Sequence, residues 1–200
     1  MRTFKIHLIR HGLTEGNSAG AYIGKTDLPL SAEGVRNLKN LKEKIDYPFA
    51  EKVYCSPLLR CRQTANILYP EYNVEIVDNL SEYDFGEFEG KTALQLESNP
   101  DFFKWTSGQI SSPPGGEDST EFSKRVCVGL HQIVLDMMNS GIHESAVILH
   151  GGVIMTLLSC TALPRRRSLE WASEAGRGYT AMITPSLYHS SGVIEIISEI

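Results

Sequence analysis

The sequence predicts an α/β fold, a mainly parallel sheet with helices on both faces. Three observations predict it. Short apolar, partly β-branched runs alternate with stretches of helical spacing along most of the chain. The length of 200 residues, 42% hydrophobic and 22% charged, suffices for an ordinary core without disulfides or a structural metal. Polar, chemically capable residues cluster directly after the strand-like runs, where open parallel sheets gather their sites.

The elements follow in order. Residues 3–9 are apolar and partly β-branched and read as a buried strand. Only Ile6, His7, Leu8 and Ile9 separate Lys5 from Arg10, too few for a signal-peptide core. Residues 32–45 carry Val35, Leu38, Leu41 and Ile45 at helical spacing, with Ser31 as the cap and Gly34 weakening the first turn. Residues 52–55 read as a short strand. Residues 57–68 read as a helix opening on Pro57, whose fixed φ and missing N–H suit a first turn. Residues 74–77 read as a third strand.

Residues 80–118 read as an irregular insertion over the active site. It holds a short helix near 102–105 and a loop at Pro113-Pro114-Gly115-Gly116. Residues 119–138 hold the longest helical pattern, through Phe122, Val126, Leu130, Ile133, Leu135 and Met138. Residues 146–149 read as a strand and 152–158 as the start of a helix. Residues 181–183 and 193–197 read as closing strands. The chain, 1–200, is expected to be a single domain.

Composition narrows the function. No apolar run approaches the ~20 residues of a membrane span. The net charge of −5 argues against a nucleic-acid binder but leaves a small anionic substrate open. Cys55, Cys61, Cys127 and Cys160 are scattered without metal or redox spacing, which reads as reduced thiols in a cytoplasmic protein. His7 and His11 are four apart, but on a strand and the turn after it, so a metal site is not expected.

Arg10-His11-Gly12, with Thr14 and Asn17, follows the first strand. Ser56-Pro57-Leu58-Leu59-Arg60 follows the second, Glu82 the third, and His150-Gly151-Gly152 the strand ending at Leu149. Each residue is ordinary; together at one sheet edge they suit phosphoryl transfer. A phosphomonoester carries nearly two charges, which guanidinium forks hold best. Neutral imidazole is a nucleophile near neutral pH. A carboxylic acid can protonate the departing alkoxide.

These blocks, with Gly24, the Leu30-Ser31-Ala32-Glu33-Gly34 turn and Thr64-Ala65, resemble the histidine phosphatase superfamily, its phosphoglycerate-mutase-like branch. The resemblance implies a phosphoglycerate-mutase-like three-layer sandwich. It implies that His11 becomes phosphohistidine, that Arg10, Arg60 and His150 surround the phosphoryl oxygens, and that Glu82 is the acid. Asn17, Gly24, Thr14 and Gly151 are the expected substrate-binding positions. No metal and no cofactor are implied.

Residues 83–117 contain only Lys91 and Lys104 as basic residues, which disfavours a doubly phosphorylated ligand and favours a phosphatase. Residues 84–90 and 113–119, with Arg125-Val126, are similar to blocks of small phosphatases, α-ribazole phosphatases among them. Met155 stands where many of these relatives carry arginine. The resemblance thus points to a metal-independent phosphomonoesterase acting on small phosphorylated metabolites, α-ribazole phosphate among the candidates. A phosphoglycerate-type mutase and a non-catalytic phospho-ligand binder are the alternatives.

Several residues stay open on sequence alone. Glu117 either orders the site arginines or caps the long helix. Phe102, Phe103 and Trp105 wall the pocket or form a core of their own. Arg165-Arg166-Arg167 is a solvated face or a contact for an acidic partner. A small phosphorylated substrate is the expected partner, with no nucleic acid and no membrane, for a monomer or homodimer.

Overall fold

The computed structural model describes residues 3–200. Its parallel strands are β1 (Phe4–Arg10), β2 (Lys52–Cys55), β3 (Val74–Ile76) and β4 (Glu144–Leu149). β1 pairs with β4, β4 with β2, and β2 with β3. Three later strands extend the sheet: β5 (Ala162–Leu163), β6 (Gly178–Ile183) and β7 (Ile194–Glu199). β6 runs antiparallel to β1 and β7, and β5 lies parallel to β7. The order across the seven strands is β3-β2-β4-β1-β6-β7-β5.

Alternate strand residues face opposite sides, so each strand feeds two cores. Ile6 and Leu8 of β1 and Val147 and Leu149 of β4 point to one face. They meet Phe122, Val126 and Leu130 of α6 (Ser119–Ser140) and Val153, Ile154 and Leu157 of α7 (Gly151–Thr161). Ile9, Val53, Cys55, Ala146 and Ile148 point to the other. They meet Leu38 of α2 (Ala32–Lys44) and Cys61, Ala65 and Leu68 of α3 (Leu59–Leu68). Full burial of one Leu or Ile stabilises by about 1.5–3 kcal/mol, so both faces contribute and the sheet is covered on both sides as expected.

Local chemistry sets the helix ends. Ser31 Oγ accepts the Gly34 N–H at 2.9 Å and starts α2. Asp118 accepts the amides of Thr120 and Glu121 and starts α6. α6 ends at Gly141, whose φ of 68° is left-handed, so the helix runs past the expected residue 138. α3 begins at Leu59, two residues after the expected Pro57, because Leu58 keeps extended backbone as the cap. β6 begins at Gly178, earlier than the expected 181. A Cβ there would meet Leu8 O at 1.8 Å, so glycine lets β6 approach β1.

Other short elements were not expected: α1 (Glu15–Ser18), α4 (Ala93–Leu96), α8 (Pro185–Ser191) and the edge strand β5. Within residues 80–118, α5 (Pro100–Thr106) corresponds to the expected short helix, with Asn99 as its cap. No helix among the described residues is long and apolar enough to cross a membrane.

Candidate active site

Sheet register brings the site together. Arg10 lies beside Leu149, and Cys55 beside Ile148, so β1, β2 and β4 end at one level. The next residues, His11, Ser56 and His150, therefore emerge side by side. The first turn of α3 brings Arg60 beneath them, and the segment after β3 brings Glu82 to the start of α7.

His11 is 4% exposed. Its Nδ1 lies 2.6 Å from Gly12 O. A carbonyl only accepts, so Nδ1 carries the proton and Nε2 keeps its lone pair. Burial, with the charges of Arg60 and Arg10, lowers the His11 pKa to about 3. The imidazole is thus neutral above that value, with an unprotonated Nε2 of the kind that can act as a nucleophile.

Arg60, 1% exposed, links the two histidines. Its Nε donates to His11 Nε2 at 3.3 Å and to His150 Nδ1 at 3.2 Å. Nη1 donates to Thr26 O and Nη2 to Gly24 O. One N–H on each terminal nitrogen remains for a phosphoryl oxygen. His150 is fully buried, and its Nε2 lies 2.7 Å from Ser56 Oγ. With Nδ1 accepting from Arg60, Nε2–H donates to Ser56. Burial first, then the charges of the neighbouring histidine and arginines, lower the His150 pKa well below its ordinary value.

Arg10 donates from Nη1 to Ser173 O, while its buried Nε has no partner. A buried guanidinium N–H left unpaired costs free energy unless a ligand takes it. Glu82 closes the group at 7% exposure. Its carboxyl accepts the Tyr83 amide at 2.9 Å and the Gly152 amide at 3.0 Å. Burial raises its pKa, with those amides and the two arginines opposing. The acid form therefore persists above the usual carboxylate range.

The four expected binding positions differ in what they do. Asn17 Oδ1 is held by the Thr14 amide and hydroxyl, which leaves Nδ2 as a donor. The fully buried Thr14 hydroxyl is committed to capping α1, so Thr14 orients Asn17 rather than touching a substrate itself. Gly24 does not offer its amide to a substrate anion either, because the Glu89 carboxylate accepts it at 3.1 Å. A Cβ at Gly24 would meet Tyr83 O at 1.8 Å, so glycine lets this loop lie on the Glu82 segment. Gly151 opens α7 against the Arg10 guanidinium.

The open residues resolve in part. Glu117 pairs with Arg125 at 2.8 Å and with neither site arginine, and Asp118 caps α6. Trp105 and Tyr83 line a cavity beside Glu82. Phe102 packs on Phe88 and Tyr22, while Phe103 is 65% exposed. Arg166 lies over Trp171 at 4.6 Å and Arg167 pairs with Glu170. His7 is held within the sheet by Thr180 and Glu144.

Sequence reasoning assigned no role to three supports. Ser56 receives His150. Glu89 gathers the amides of Gly24, Lys25 and Phe85 and the Thr26 hydroxyl, clamping the loop whose carbonyls hold Arg60. Arg125 donates to the carbonyls of Asn79, Ser81 and Glu82. Arg125→Ala is expected to destabilise the fold by about 2–4 kcal/mol, since it strands those carbonyls and Glu117 together. Urea unfolding would measure it, and an unchanged midpoint would contradict the assignment.

A buried neutral imidazole, two arginines, a second histidine and a buried carboxyl gather at the strand ends, a set whose chemistry suits phosphoryl groups. The chain belongs to the histidine phosphatase superfamily (branch 1), whose pattern matches residues 6–181. It is 31% identical over 160 residues to the adenosylcobalamin/α-ribazole phosphatase of Salmonella typhimurium, covering 78% of each chain. It is 29% identical over 161 residues to the 2,3-bisphosphoglycerate-dependent phosphoglycerate mutase of Rhizobium etli, covering 75% of this chain and 76% of that one. The crystal structure of the α-ribazole phosphatase from Shigella flexneri superposes with a TM-score of 0.74 at 25% identity over 90% of each chain. The relatives thus include phosphatases and a mutase.

Proposed function

We propose that this protein is a metal-independent phosphomonoesterase that hydrolyses a small phosphorylated metabolite through phosphohistidine at His11. The observation that carries the reading is the His11 hydrogen bond to Gly12 O, which leaves Nε2 unprotonated beside Arg60. Nε2 attacks phosphorus and the P–O ester bond breaks. Arg10, Arg60, His150 and Asn17 Nδ2 receive the phosphoryl oxygens. Glu82 gives its proton to the departing alkoxide, then takes one from the water that releases inorganic phosphate.

Lys91 and Lys104 support hydrolysis over mutase chemistry. Neither Lys91, which donates to Glu87 O, nor Lys104, which pairs with Asp101, lines the cavity beside Glu82 where a second phosphate would lie. Among substrates, α-ribazole 5′-phosphate is the first to try, on the strength of the Salmonella typhimurium relative. A cytoplasmic setting belongs to the same reading and rests on the scattered cysteine spacing of the sequence.

The test is a rapid quench into alkali during p-nitrophenyl phosphate turnover in excess EDTA, followed by mass spectrometry. Phosphate on His11, with activity unaffected by EDTA, is the expected result. Turnover with no phosphorylated His11 would sink the mechanism. Stimulation by a bisphosphorylated cofactor would move the protein to the mutases.

A further inference from the structure

In-line displacement puts the leaving group opposite the attacking nitrogen, on the side of the acid that protonates it. The organic part of a substrate must therefore occupy the space next to Glu82. A cavity of about 250 Å³ lies there, bordered by Glu82 and Gly152. Tyr83, Phe85, Trp105, Phe122 and Met155 form its apolar walls, and the neutral hydroxyl residues Ser119, Ser123, Thr156 and Ser168 complete the lining. Glu82 is its only carboxylate, and no lysine, arginine or histidine among the described residues lines it.

The walls are mutually packed, so the cavity is preformed. Tyr83 meets Phe122 edge-on at 5.0 Å and lies stacked near Trp105 at 6.2 Å. Phe85 meets Trp105 edge-on at 5.9 Å. Arg125 lies over the Phe122 ring, but its guanidinium is committed to Glu117 and three backbone carbonyls. A carboxylate or second phosphate entering this space would lose hydration without gaining a cation. An aromatic ring would gain apolar burial and edge or face contacts. The volume falls just below the range of about 300–1,000 Å³ for drug-sized sites, which suits one or two rings.

We infer that this cavity is the leaving-group subsite and that it selects phosphomonoesters of neutral, aromatic-bearing alcohols, with Trp105 and Met155 as specificity-determining residues. The inference rests on the phosphatase reading of the site. Binding without turnover separates the two. Isothermal calorimetry would compare 2-phenylethylphosphonate with ethylphosphonate, which share the anionic head. About tenfold tighter binding of the phenyl compound is expected, whatever the turnover assay gives. Trp105→Ala should cut that ratio at least threefold. Met155→Lys should lower it too, and should improve binding of a carboxylate-bearing phosphonate relative to the phenyl one. Equal binding of the two phosphonates by the parent would overturn the inference, as would a ratio that neither substitution moves. Phosphohistidine formation with equal binding would leave the phosphatase reading intact and remove only the subsite.

Discussion

His11→Ala is expected to reduce turnover of p-nitrophenyl phosphate by about 10⁴-fold or more, while the fold and phosphate binding persist. The loss follows from the bond made. Without Nε2 no covalent intermediate forms, and a methyl group offers no substitute. The remaining groups still bind, because Arg60 is held independently by Thr26 O and Gly24 O, and Arg10 by Ser173 O. Inorganic phosphate should bind within about threefold of the parent, since the arginine contacts are untouched. Gly12 O loses its partner and Arg60 Nε loses one of its two acceptors, with His150 Nδ1 remaining, at a cost of about 1–2 kcal/mol of stability. Typical domains hold about 5–15 kcal/mol, so the variant should fold. Kinetics, calorimetry with phosphate and circular dichroism together check this. Retained turnover in a folded variant would assign the nucleophile elsewhere.

The same geometry sets the acid limb of the pH profile. Burial and two arginines lower His11 to about 3. Its neutral form, the reactive one, is present above that value and lost below it. The rate constant kcat/KM for the free enzyme should therefore not fall through His11 protonation until near pH 3.

The candidate site is legible in the sequence because few roles suit an arginine, a histidine and an acid at successive strand ends. Arg10, His11, Arg60, Glu82 and His150 all stand at or just past such ends, and sheet register brings their elements to one level. Strands β1, β2 and β4 were readable for a related reason. They are buried on both faces, so their apolar runs carry no competing signal. Supports were harder. Ser56 meets His150 across 94 residues and Glu89 meets Gly24 across 65, and no local spacing encodes such pairs. Thr14 and Gly24 sit among the expected binding positions. Their polar groups are instead consumed by Asn17, Glu89 and Arg60. α8 had signals, Pro185 inside its start and Gly192 past its end, but its seven residues fall between two strands and carry little apolar pattern.

Glu82→Gln is expected to slow hydrolysis of alkyl phosphates by about 10²–10⁴-fold and that of p-nitrophenyl phosphate by less than about tenfold. An alkoxide is a poor leaving group and needs its proton in the transition state. p-Nitrophenolate departs largely unaided, so removing the acid costs it little. Glutamine keeps the size of the side chain and one oxygen to accept the Gly152 or Tyr83 amide, so the site should remain assembled. The pH dependence separates this role from a purely electrostatic one. Burial raises the Glu82 pKa. The proton-donating form is present below that raised value and lost as pH rises through it. Activity on alkyl esters in the parent should therefore fall on the alkaline side, and the variant should lack that limb. The second ionisation of a phosphomonoester, near pH ~6, belongs to the substrate and should appear in both proteins alike. Equal slowing of alkyl and p-nitrophenyl esters, with the alkaline limb retained, would mean that another group donates the proton. Asp84, two residues on and engaged with the Gly86 amide and Lys25, would be the next carboxylate to substitute.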